Sequence, residues 1–170
     1  MWWLLACAGG VASGARSAES FFPPWAAEAR FRPIAAPDAA PDTAAVLTES
    51  WTARVSGGGP WRWTLVDGED PDIAPELVTL DLDGSDGLVL KGPELLLLPD
   101  QFADGEQVAE GATNVTVVVH KDVPTWYGVI PEAVEIQMVG AVSGFLFLAP
   151  GIGPVKFSLE AHNAELAWYR

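Results

Sequence analysis

Cysteine, histidine and basic side chains are all scarce in this 170-residue chain. The single cysteine, Cys7, excludes an internal disulfide and a thiolate metal cluster. Two histidines cannot build a His-rich metal site within one chain. Nine Lys and Arg stand against 23 Asp and Glu, for a net charge of −14, and such a surface repels phosphate backbones and anionic membranes. Nucleic acid is therefore excluded as an expected partner. No G-x-S-x-G, H-E-x-x-H, Walker or dinucleotide glycine pattern occurs, and no acid–base–nucleophile set can be assembled, so the expectation is a protein without enzymatic activity. What is present is apolar: 49% hydrophobic residues with eight tryptophans, enough for one well-filled core. The 17 glycines and 14 prolines imply many turns, and hence many short strands.

Met1 to Val11 is apolar and small, too short to span a bilayer as a helix, and has the composition of a secretion signal. Residues 1–18 are read as a signal segment, 19–45 as an aromatic and Ala/Pro-rich tether, and 46–170 as a β-domain. Leu4-Leu5-Ala6-Cys7 resembles the bacterial lipobox, which implies acylation of Cys7 and, with Ala8 following, an outer-membrane destination. No basic residue precedes Cys7, which leads to the expectation of a start upstream of Met1. Cleavage after Ala15 into a soluble periplasmic or secreted form, and a buried Cys7 in a short strand, are the alternatives. Ala26 to Arg32 is expected to make two helical turns stopped by Pro33, with Phe21-Phe22-Pro23-Pro24-Trp25 packed on the domain.

From Val46 onward the period is two. Trp61, Trp63 and Leu65 alternate with Arg62 and Thr64; Val134, Ile136 and Met138 alternate with Glu135 and Gln137; Val155, Phe157 and Leu159 alternate with Lys156 and Ser158. Each pattern puts one face on a core and the other in water, as in antiparallel sheets. Turn signals such as Asp83-Gly84 and Pro150-Gly151 separate nine or ten strands. The expected fold is all-β, a single curved antiparallel meander forming a half-barrel or open barrel, with a β-sandwich as the alternative.

Phe147-Leu148-Ala149-Pro150-Gly151-Ile152-Gly153-Pro154-Val155-Lys156-Phe157 resembles the F-A-P-G-V-G-x-V-K hairpin of a bacterial secreted and lipoprotein β-domain family of unassigned role. Phe21-Phe22-Pro23 and Leu98-Pro99 through Gly105 are similar to two further segments of that family. The resemblance implies a half-barrel like that of lipoprotein-localisation proteins and an envelope location, with no activity attached.

Three clusters are candidates for chemistry. Asp81, Asp83 and Asp86 lie in an acidic tract and are candidate Ca²⁺ ligands, although position six of that loop is Asp86 where a calcium loop has glycine; a polar hairpin turn is the alternative. Trp61, Trp63, Trp126 and Tyr127 are candidates to line an apolar-ligand site, joined by Trp51 and Trp168, with core packing as the alternative. His120 with Asp122, and His162, read as strand-end residues. The functional expectation is an envelope binding protein holding a lipid or other apolar ligand on the concave sheet face. The alternative is an assembly lipoprotein whose acidic face meets an envelope protein. Membrane contact is expected only through a lipid anchor.

Overall fold

The computed structural model describes residues 16–23, 26–34, 51–55, 61–67, 75–83, 87–119, 122–159 and 162–169. Cys7, Asp86 and His120 lie outside this set, as do residues 35–50 of the Ala/Pro-rich stretch and the side chains of Trp51, Asp83 and Trp168. Among the described residues the strands are β1 (Arg16–Ser17), β2 (Ala27–Pro33), β3 (Trp51–Val55), β4 (Trp61–Asp67), β5 (Glu76–Asp83), β6 (Gly87–Leu90), β7 (Leu95–Leu98) and β8 (Gln101–Phe102). They continue as β9 (Gln107–Glu110), β10 (Thr113–Val119), β11 (Asp122–Thr125), β12 (Gly128–Pro131), β13 (Val134–Gly140), β14 (Gly144–Ala149), β15 (Gly153–Leu159) and β16 (His162–Tyr169). Among the described residues one 3-10 turn, Ala18–Phe21, is the helical element.

Twelve strands form one antiparallel sheet in the order β7-β6-β5-β4-β3-β2-β16-β15-β14-β13-β10-β9. This is the expected all-β meander, with more strands than the nine or ten read from the sequence. Its two halves, β2–β7 and β9–β10 with β13–β16, follow chain order except that β10 pairs with β13 across the separate β11–β12 hairpin, and they are joined where β16 pairs with β2 through Leu166↔Phe31 and Glu165↔Arg32. The edge strands β7 and β9 come near each other without forming a ladder, so the sheet curves round but is not closed. The expectation of helical turns over Ala26 to Arg32 is corrected: Ala27–Pro33 is a strand in the middle of the sheet. Its small and charged residues read poorly as a strand, but Ala27, Ala29 and Phe31 alternate with Glu28, Arg30 and Arg32, and burial of the former decides the matter.

The inward face is filled by the protein's own side chains. Trp63, Phe31 and Phe157 meet as an aromatic triad from β4, β2 and β15, with ring centroids 5.4–5.8 Å apart. Around them Leu65, Leu80, Val117, Ile136, Leu146 and Leu166 are fully buried in the same continuous cluster. The outward face of β14 is only half-buried, where Phe145 and Phe147 stack edge-on at 5.6 Å.

One end of the sheet is stoppered by the 3-10 turn. Phe21 and Phe22 are buried there, Phe21 against Phe102 at 5.9 Å, as expected of this part of the aromatic cluster; Pro24 and Trp25 lie outside the described residues. Backbone bonds Ala18 N–H to Asp100 O (2.9 Å) and Gly151 N–H to Ser20 O (3.1 Å) stitch the turn to its neighbours. The 3-10 turn, the Asp100–Phe102 segment and the Gly151 turn thus meet at this end. Gly151 and Gly153, at φ 69° and 91°, give the β14–β15 hairpin its tight connection, and a Cβ on Gly153 would rest 3.8 Å from the Phe22 ring. Pro154 is tolerated inside β15 because a bulge opposite Phe147/Leu148 interrupts the ladder there.

Candidate functional site

The structure separates the residues that the sequence groups as a ligand-lining set. Trp63 has no exposed surface and belongs to the aromatic triad, so it is a core residue. Trp61 is half-buried at the stoppered end, where its indole Nε1–H donates to Pro23 O at 2.9 Å. Trp126 and Tyr127 lie elsewhere. The register places Trp63 level with Ala27, whereas Trp126 covers Arg32, five residues farther along β2. At ~3.3 Å per residue, the Trp61 and Arg32 backbones are separated by roughly 20 Å along the strands. No shared pocket joins the four.

Trp126 and Tyr127 form the turn of the β11–β12 hairpin, inserted between β10 and β13. Val123 and Ile130 are buried in the main core and anchor the hairpin's arms. The tip is tied down twice. The Tyr127 backbone N–H donates to Leu166 O at 2.9 Å, at the bulge between Leu166 and Trp168 where the β16–β2 ladder slips. The Arg32 guanidinium sits 4.3 Å from the Trp126 ring centroid, a cation–π contact. Thr125 Oγ1–H donates to Gly128 O at 2.9 Å and closes the turn itself. Even so, Trp126 is 65% exposed, Tyr127 50% and Val129 66%. A fixed backbone therefore presents two rings and a branched aliphatic to solvent. Val129 was missed in the sequence. The available signal was charge: the stretch 123–131, V-P-T-W-Y-G-V-I-P, has no ionisable group except Tyr127, although this chain carries 23 acids.

A second feature is a cleft of about 280 Å³ at the end opposite the 3-10 turn. Leu77, Val78, Leu90 and Leu159 form its apolar wall and Glu76, Thr79 and Lys91 its rim. It lies just under the ~300–1,000 Å³ common for small-molecule sites.

Of the candidate calcium ligands, Asp81 alone has a described side chain, and it is engaged elsewhere. Arg62 Nε and Nη2 donate to its two oxygens at 2.7 and 2.9 Å, and Lys91 Nζ stands 4.0 Å away. The hydrogen bonds from Arg62 hold the Asp81 carboxyl below the usual carboxylate range, and the same contact raises the Arg62 guanidinium. Among the described residues no group of three His, Cys, Asp or Glu could hold a metal ion. Asp122 is exposed at the start of β11, and His162 is half-buried at the start of β16. Among the described residues no helix is long and apolar enough to cross a membrane. Comparison with protein-family models, with curated proteins and with solved structures finds no match to this chain.

Proposed function

We propose that this chain is a non-enzymatic exported protein of the bacterial envelope, a rigid contact module whose working surface is the β11–β12 hairpin tip. The observation that carries this reading is the exposure of Trp126, Tyr127 and Val129 on a turn pinned to Leu166 and Arg32. Large apolar side chains held in water on a fixed backbone add nothing to the core. Their clustering is what a binding surface needs, because a preordered tip loses little conformational entropy on docking. The export assignment rests on the signal-like amino end and the lipobox-like Leu4-Leu5-Ala6-Cys7. The filled inner face weighs against a lipid lying along the concave sheet.

The test replaces Trp126, Tyr127 and Val129 together by serine and incorporates a photo-crosslinking residue at position 132 in parent and variant. The variant is expected to stay folded, its melting temperature lowered by no more than about 4–8 °C, since Trp126 contributes at most about 1 kcal/mol and each of the other two exposed substitutions at most ~0.5 kcal/mol. It is expected to lose the crosslinked species formed in the cell envelope. Identical crosslinking in both chains would refute the hairpin as the contact surface.

A second reading is favoured by the open-end cleft: a small amphiphile with its apolar part against Leu77, Val78, Leu90 and Leu159. A bound mass released on organic extraction, and lost in Leu159→Gln but kept in the hairpin variant, would select it.

A further inference from the structure

We infer that the β11–β12 tip is built to enter the headgroup layer of a zwitterionic lipid bilayer, a partner beyond the lipid anchor that the amino end implies; this rests on the hairpin being the contact surface. Four observations bear on the occupant. Trp126 and Tyr127, at 65% and 50% exposure, present on the order of 250 Å² between them, taking roughly 200–250 Å² per aromatic side chain. That is well under half of the ~800 Å² per partner of a stable protein–protein interface, so a second copy or a folded partner would gain little by gripping the tip. A small exposed aromatic tip on a pinned turn suits shallow insertion instead.

The residue types agree. Trp and Tyr have apolar bodies and polar edges and concentrate at the membrane–water boundary, and Val129, two residues on from Tyr127, adds an exposed aliphatic side chain. Charge is arranged to match. The hairpin from Val123 to Pro131 carries no charged side chain, with Asp122 and Glu132 only at its flanks, so nothing at the tip needs desolvating at full ionic cost. The Arg32 guanidinium lies 4.3 Å from the Trp126 ring centroid, so the charge in contact with the tip is a cation, the sign that suits a lipid phosphate. The body's net charge of −14 opposes an anionic surface, which selects a bilayer of zero net charge.

The experiment uses the full chain as a Cys7→Ser variant, so that acylation cannot contribute, with sucrose-loaded phosphatidylcholine vesicles. Co-sedimentation is expected, falling at least tenfold when Trp126→Ser and Tyr127→Ser are added, and falling likewise when a third of the lipid is replaced by phosphatidylglycerol at low salt. Equal sedimentation with and without the hairpin substitutions, or none at any lipid concentration, would overturn the inference. The crosslinking residue at position 132 separates the two levels. Crosslinks to lipid support both. Crosslinks to a protein overturn the bilayer assignment and leave the contact surface standing, and crosslinks to neither overturn both.

Discussion

Trp63→Ala gives the sharpest separation between core and surface tryptophans. Trp63 is fully buried and contacts Phe31 at 5.7 Å and Phe157 at 5.8 Å, both near-perpendicular edge contacts. Truncating a buried Trp or Phe costs about 3–5 kcal/mol through lost transfer free energy and the cavity left behind. The lost ring contacts place this site toward the upper half of that range, because each such pair adds ~0.5–1.5 kcal/mol beyond area burial. Taking about 4 kcal/mol, and about 2–4 °C per kcal/mol for a chain of this size, the melting temperature should fall by roughly 8–16 °C. Against a total of only ~5–15 kcal/mol, that brings the domain close to unfolding at 37 °C. Trp126→Ala, at 65% exposure with a single cation–π contact, should cost no more than about 1 kcal/mol. Urea denaturation followed by far-ultraviolet circular dichroism measures both. A Trp63→Ala midpoint within error of the parent, or a larger loss from Trp126→Ala, would refute the placement of the two rings.

Asp81→Asn should cost about 0.5–1 kcal/mol at pH 7, because one partner of the Arg62 pair is exposed and solvent screens the interaction. The folded-state carboxyl is depressed, so this contribution is present above the unfolded value near pH ~4 and lost as pH falls through the lower folded value. Parent and variant denaturation curves should therefore converge in strong acid, and a gap unchanged at low pH would contradict the pair. Tyr169 is raised above the ordinary phenol range by burial, with its O–H donating to Gly151 O at 3.2 Å. A raised acid favours the folded state while protonated, so that stability falls once pH exceeds the unfolded phenol value near ~10, and Tyr169→Phe should flatten the alkaline limb of a stability profile. Gly144→Ala should destabilise by more than about 2 kcal/mol, since φ is 147° and the new Cβ would lie 1.9 Å from Ser158 O. Gly151→Val, at φ 69° with open space around it, should cost only the ~1–3 kcal/mol of backbone strain; either variant melting like the parent would contradict the geometry.

The sheet was legible where burial is one-sided. Alternation in 61–65, 134–138 and 155–159 matches the inward set Trp63, Leu65, Ile136, Met138, Val155, Phe157 and Leu159. It failed where side chains are small or strands are short. Ala27 and Ala29 look helical by local propensity, and only pairing with β3 and β16 makes them a strand. The two-residue strands β1 and β8 have no period to detect, and Pro124 and Pro131 hide the β11–β12 hairpin, where proline is tolerated because the hairpin stands apart from the main sheet.

The candidate site was legible in part. Trp126 and Tyr127 were singled out, but grouping them with Trp61 and Trp63 treated four rings as one surface. Sequence alternation reports which face a strand buries; it does not report which strands come to lie together. Nothing local to residues 126–127 tells of Leu166 or Arg32, which reach them through a bulge and a long-range strand pairing. Asp81 likewise reads as a candidate calcium ligand until β4 brings Arg62 across from it.

Native mass spectrometry of envelope-purified protein and of its Trp126→Ser, Tyr127→Ser, Val129→Ser variant tests most directly whether contact is made outside the sheet. The account predicts the bare polypeptide mass, plus any covalent acyl group, for the variant. A non-covalent lipid retained in that variant would place the ligand away from the hairpin, on the inner face or in the cleft beside Leu159, and contradict it.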